Sequence, residues 1–247
     1  MLEFIAIPFL AIISSIVGCL TIFRKANFLI AAASHSAFAG VALSLFFDNN
    51  FLIALLFTLV LMTISRISKD VNVGLVVSFG LSMGLAATFL SFSRDKAAFA
   101  WKIMFGDILL LTFEDLIIIV FTAVVLLALV AIYLPKFILV SFDEDASSCF
   151  GIKSKLVDVL LIVLTAFATV STIKAVGAIL VYAIFTTPAA IATILARSIR
   201  QAMILSLILS IFSLIFGLLL SFLIPIPPSA LTALTVSFIY LAMNLKR

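Results

Sequence analysis

Along the chain, apolar runs of about twenty residues, the length a helix needs to cross a bilayer core, alternate with short polar breaks. They predict nine spanning helices, at roughly 4–23, 27–47, 51–65, 73–92, 113–134, 156–173, 175–196, 202–224 and 229–245. The third run is short, which predicts a tilted or partly re-entrant segment, and only Lys174 divides the sixth from the seventh. A barrel would show shorter, alternating segments. The expected fold class is therefore all-α, a polytopic transmembrane helical bundle of eight to nine spans. No linker, low-complexity run or second soluble domain interrupts it, so residues 1–247 read as one domain.

Two polar stretches stand out. The first, Ser93 to Asp115, mixes charges with the single tryptophan, Trp101, and predicts an interfacial helix on the outer face. The second, Pro135 to Lys155, carries Asp143, Glu144 and Asp145, then Gly151, then Lys153 and Lys155. Pro225, Pro227 and Pro228 predict a rigid outer hairpin, since proline cannot continue a helix ladder.

Cations orient the bundle. With the amino terminus outside, 11 of the 15 Lys and Arg residues fall on the inner side and 4 on the outer, the bias expected of a plasma-membrane protein. This puts Pro135–Lys155 in the cytoplasm.

Composition strengthens the membrane reading. The chain is 66% hydrophobic and 11% charged, with a mean hydropathy of +1.44; a soluble domain is nearer half apolar and a quarter charged. The net charge of +4 is spent at span ends and gives no nucleic-acid signal. Cys19 lies in a span and Cys149 in the second polar stretch, with no CxxC between them, which predicts reduced thiols. No P-loop pattern occurs, so the chain offers no nucleotide site. Neither a nucleophile–base set nor paired catalytic carboxylates can be assembled, which argues against an enzyme.

Candidate chemistry is sparse. His35 is the only histidine, placed mid-span among Ala and Ser residues that let a neighbouring helix approach. An ionisable group at that depth is a functional candidate, and imidazole ligates transition metals. The competing reading is a packing histidine that donates to a carbonyl on another helix. Asp107, Glu114, Asp115 and Asp158 sit at span ends and read as anchors or caps. In the seventh span, Pro188 frees a backbone carbonyl that Thr186 and Thr187 are placed to satisfy. With Gly177 this is either an ordinary kink or a hinge beside a translocation path. In the second polar stretch, Asp143 is placed to start a short helix, with Ser147 inside it and Gly151 to close it in a left-handed cap. That helix is either part of a solvated loop or an element for a soluble subunit to grip.

At this point four segments carry a resemblance: Ser34-His35-Ser36-Ala37 with Gly40, Phe105-Gly106-Asp107-Ile108-Leu109, Ser141-Phe142-Asp143 with Gly151-Ile152, and Val176 to Val181 through Pro188-Ala189-Ala190. In order and spacing the chain resembles the membrane subunit of zinc/manganese/iron-type ABC importers. The resemblance implies a permease that moves a divalent metal by alternating access and binds no cofactor of its own. It implies a second copy of the chain, cytoplasmic ABC ATPase subunits that use the ATP, and an extracytoplasmic metal-binding protein. It further implies that Asp143 to Gly151 forms the coupling helix and that His35 lies on the metal path. Relatives commonly carry an aspartate one helical turn before this histidine, where this chain has Ala31. A metal-chelate cargo and a stand-alone secondary transporter are the alternatives, although the few mid-membrane charges count against the latter.

Overall fold

The computed structural model describes residues 2–26, 28–48, 50–64, 68, 70–92, 103–106 and 108–245. Its regular elements are helical, with no strand among the described residues. The helices are α1 (Leu2–Phe23), α2 (Leu29–Ser44), α3 (Phe51–Ile64), α4 (Val71–Phe92), α5 (Phe113–Phe142), α6 (Glu144–Cys149), α7 (Ser154–Val176), α8 (Ala178–Leu195), α9 (Ile199–Ser221) and α10 (Pro228–Leu245). All but α6 fall on the nine predicted spans. Among the described residues, α1, α4, α5, α7, α8 and α9 are long and apolar enough to cross a membrane, while α2, α3 and α10 contribute shorter apolar segments. Pro228 opens α10, a first-turn position where its missing N–H costs nothing. Of the predicted outer interfacial helix, 93–102 and Asp107 lie outside the described residues.

Lipid gives helices no hydrophobic reason to associate, so close packing of small residues and inter-helix hydroxyl bonds hold such a bundle together. The α2 helix illustrates this. Except at His35 and Leu43, every residue along it is buried, because its Ala and Ser run admits α3, α4 and α7 at close range. Ser36 and Ser82 join α2 to α4 with their hydroxyl oxygens 2.8 Å apart, and Ser78 of α4 donates to the Leu61 carbonyl of α3 at 2.6 Å. On the other side of the bundle, α1 packs against α5, α8 and α9. Buried α7 touches both groups, and Thr122 of α5 donates to Ser171 of α7 at 2.8 Å.

Two boundaries differ from the sequence expectation. The fifth span does not stop at Pro135. Instead α5 runs through it to Phe142, 30 residues in all, or about 45 Å, well beyond a hydrocarbon core of about 30 Å. Interior proline costs a helix about 3 kcal/mol. Phe137 and Val140 beyond it stay buried, at about 1.5–3 kcal/mol each, and so offset that cost. The sixth and seventh spans are divided at Gly177, not at Lys174, which lies in the last turn of α7. Gly177 has φ 82° and packs on Gly106, whose φ is 63°. A Cβ on either would overlap the backbone of the other segment, so the two chain segments cross at van der Waals contact. Ser229, at the start of α10, donates to the Gly106 carbonyl at 3.2 Å and adds a third element to this crossing.

Candidate functional site

The residues singled out from the sequence fall into three places. The first is His35, at the opening in the middle of α2. It is half-buried and faces α4. Its Nδ1 lies 3.0 Å from the Met83 sulfur, and its ring meets Phe79 edge-on at 4.4 Å between centroids. The carbonyl partner expected of a packing histidine is replaced by this thioether. Among the described residues, no three His, Cys, Asp or Glu side chains gather as a metal cluster. One chain thus sets an imidazole beside a thioether, which is short of the three or four ligands of a closed metal cage.

The second place is the polar turn between α5 and α7. Asp143 caps α6, accepting from the Ala146 N–H at 2.9 Å. At the other end, the Ile152 N–H reaches the Ser147 carbonyl at 3.0 Å and the Gly151 N–H reaches the Ser148 carbonyl at 2.9 Å. With Gly151 at φ 72°, this is a Schellman closure. Ser147 is buried and donates to the Glu144 carbonyl at 2.7 Å. Asp143, Glu144 and Asp145 are exposed. Phe142 and Phe150 flank the helix, 72% and 75% exposed. Cys149 is exposed on the same helix, whereas Cys19 is buried, and both thiols are free.

Arg24 is one of the 11 cations that the sequence assigns to the inner side, and Asp158 reads there as an anchor or cap. The structure joins them. Arg24 Nε donates to Asp158 Oδ1 at 2.7 Å, Nη1 to the Val140 carbonyl at 3.0 Å, and Nη2 to Glu144 and to Asp158 Oδ2 at 3.3 Å. Burial disfavours the Arg24 charge, but hydrogen bonds to Asp158 and Glu144 outweigh it and hold the guanidinium above its ordinary value. Beside this network lies a cavity of about 460 Å³ between the α1–α2 turn, the start of α4 and the α5–α6 connection. The available signal was opposite charge at matching depth: Arg24 ends the first span and Asp158 begins the sixth, both on the inner side.

The third place is Pro188 in α8. Its missing N–H frees the Ile184 carbonyl. Neither Thr186 nor Thr187 fills it. Ser14 of α1 donates to it at 2.6 Å, and the Ser14 hydroxyl also lies 3.0 Å from Ser210 of α9. Thr186 Oγ1 is buried without a partner. Geometry explains the substitution: α1 packs directly along α8, and Gly18, one turn below Ser14, lets the Phe185 carbonyl come into contact. No pattern within one span announces a serine on another, so Ser14 was not legible. His35, α6 and Pro188 are not one cluster; α1 is the element that reaches both the second and the third.

Comparisons with known proteins agree with this architecture. The model of the ABC 3 transport family matches residues 2–247. The manganese import system permease protein ScaB of Streptococcus parasanguinis is 30% identical over 205 residues, 80% of this chain and 72% of that protein. The manganese transport system membrane protein MntC of Listeria monocytogenes is 28% identical over 203 residues, 79% of this chain and 71% of its own length. Among solved structures, PsaBC from Streptococcus pneumoniae in complex with Fab superposes with a TM-score of 0.88 at 25% identity, covering 97% of this chain and 88% of the matched one.

Proposed function

Because the chain belongs to the ABC 3 transport family, we propose that residues 1–247 form the single permease domain of an importer for a divalent transition-metal ion, with manganese(II) the first choice and zinc and iron its competitors. The observation that carries this reading is the likeness in sequence, over 80% of the chain, to a manganese import permease and in fold, over 97% of it, to PsaBC. The chain is a multi-pass plasma-membrane protein and a permease rather than an enzyme. ATP is used by separate cytoplasmic ABC ATPase subunits. A second copy of the chain completes the pore, and an extracytoplasmic metal-binding protein delivers the ion at the outer face.

Each candidate residue has a role in this scheme. Exposed Asp143, Glu144 and Asp145 on α6, held in shape by Ser147 and the Gly151 closure, form the surface a motor subunit grips. Phe142 and Phe150 support that role, since two exposed phenylalanines beside a capped helix fit an apolar socket. His35 touches the ion in transit. Gly177, Thr187 and Pro188 let α8 bend as access alternates.

A second reading of the cargo rests on Met83. A thioether beside the imidazole, with Ala31 where relatives commonly hold a carboxylate, suits softer ions or a metal chelate better than manganese(II).

The test is uptake into proteoliposomes holding the chain with its ATPase. Manganese(II), zinc(II) and iron(II) are offered in parallel, each free or chelated. ATP-dependent accumulation that requires the ATPase is expected, and the favoured ion decides between the cargoes. Uptake by the chain alone down an ion gradient would overturn the scheme in favour of a secondary transporter. His35→Ala is expected to lower uptake by roughly tenfold, equivalent to about 1.4 kcal/mol, with assembly intact; unchanged uptake would make His35 a packing residue.

A further inference from the structure

We infer that Arg24 is the positioning residue through which movement of α6 enters the membrane bundle, with α1 as the rod that carries it to the Pro188 break. This rests on the permease reading above, and it assigns the transmission to Arg24 and α1, which lie outside the docking surface.

Contacts around α6 leave few ways in. The helix packs mainly on α5 and α7, its immediate chain neighbours, which any loop would touch. Arg24 is the remote grip. From the end of α1 it holds the last turn of α5 through the Val140 carbonyl, the first residue of α6 through Glu144, and the fifth residue of α7, Asp158. Its side chain is 14% exposed, against 55% for Glu144 and 32% for Asp158. The shared cation is therefore the enclosed member, and the link is stiffer than an exposed ion pair.

From Arg24 the path continues up α1. Ser14 stands ten residues away, about 15 Å along the helix. There it donates to the Ile184 carbonyl that Pro188 leaves open, and the Gly18 contact with Phe185 lies between the two points. A shift of α1 thus acts on α8 where its ladder is already interrupted. The cavity of about 460 Å³ beside Arg24 leaves space for the network to move as a unit against α4, which close packing elsewhere would resist.

The experiment uses the assembled complex of permease and ATPase in proteoliposomes, with manganese(II) or the ion found to be preferred as the probe. It measures ATP hydrolysed per ion accumulated in the same vesicles, with the amount of bound ATPase recorded. Arg24→Gln is expected to raise that ratio by roughly tenfold, a typical size for coupling between sites. Arg24→Lys, which keeps the charge but loses the fork, is expected to rescue it only in part. A merely structural role would lower hydrolysis and uptake together and leave the ratio unchanged, and that result, or an unaltered variant, overturns the inference. Should Arg24→Gln fail to assemble, Asp158→Asn, outside the docking surface, loosens the same guanidinium and decides in the same way. Absence of ATP-driven uptake in the wild type is a failure of the permease reading; a coupled wild type with an equally coupled Arg24→Gln sinks this inference alone.

Discussion

At Arg24 one guanidinium satisfies a carbonyl and two carboxylates from three elements. Being 14% exposed, it is largely shielded from counterions. Added salt at the inner face is accordingly expected to leave the ratio of ATP to ion unchanged, whereas an exposed pair would be screened; a ratio that climbs with ionic strength contradicts this. Gly151 makes the neighbouring case. Its φ of 72° strains any L side chain, yet nothing lies within reach of an added Cβ. Gly151→Leu is thus expected to insert normally and to cost about 1–2 kcal/mol of local helix closure, showing as lost stimulation of the ATPase. At this scale the sequence was readable where one residue type has one use, as with Asp143 capping a helix or glycine turning left-handed. It was opaque where the partner came from elsewhere: nothing adjacent to His35 in the chain predicts Met83, and nothing near Arg24 predicts Val140.

The helices show how local rules yield to packing. Proline at 135 and proline at 188 carry the same backbone defect, yet neither ends its helix. In α8 the defect has a defined answer in Ser14. Removing that hydroxyl, as Ser14→Ala, is expected to cost about 1 kcal/mol in unfolding measurements in lipid or detergent. In the Ser14→Ala, Pro188→Ala double variant the loss should largely vanish, because alanine at 188 supplies its own N–H to Ile184. Additive costs in that cycle would show that Ser14 acts elsewhere. At the outer end, Gly177→Ala is expected to cost about 1–3 kcal/mol from its φ alone, with the overlap onto Gly106 added, read as a lower thermal midpoint. Hydropathy located all nine apolar helices, six of them long enough to span, because length and apolar content are local. It missed the run of α5 past Pro135 and the break at Gly177 because both depend on what the helix leans against.

Across the whole molecule, burial is uneven in a way that sets where motion is cheap. Every residue of α2 except His35 and Leu43 is buried and α7 is buried over most of its length, while α4, α5 and α9 turn most of their surface outward. Hydrogen exchange of the purified protein is expected to be slowest in α2 and α7 and fastest, among the helices, in six-residue α6; protection of α6 equal to that of α2 would remove the basis for treating it as a movable part. Membrane class and the positions of the apolar helices and of the polar turn at α6 were open to reading, since lipid imposes them on composition itself. How α1 connects that turn to Pro188 was not, because it is a property of the assembled bundle. The distribution of thiols has a practical consequence. With Cys19 enclosed and Cys149 displayed on α6, a maleimide dye should attach at one defined point of the unaltered protein, so that fluorescence from single transporters can follow this helix through each turnover.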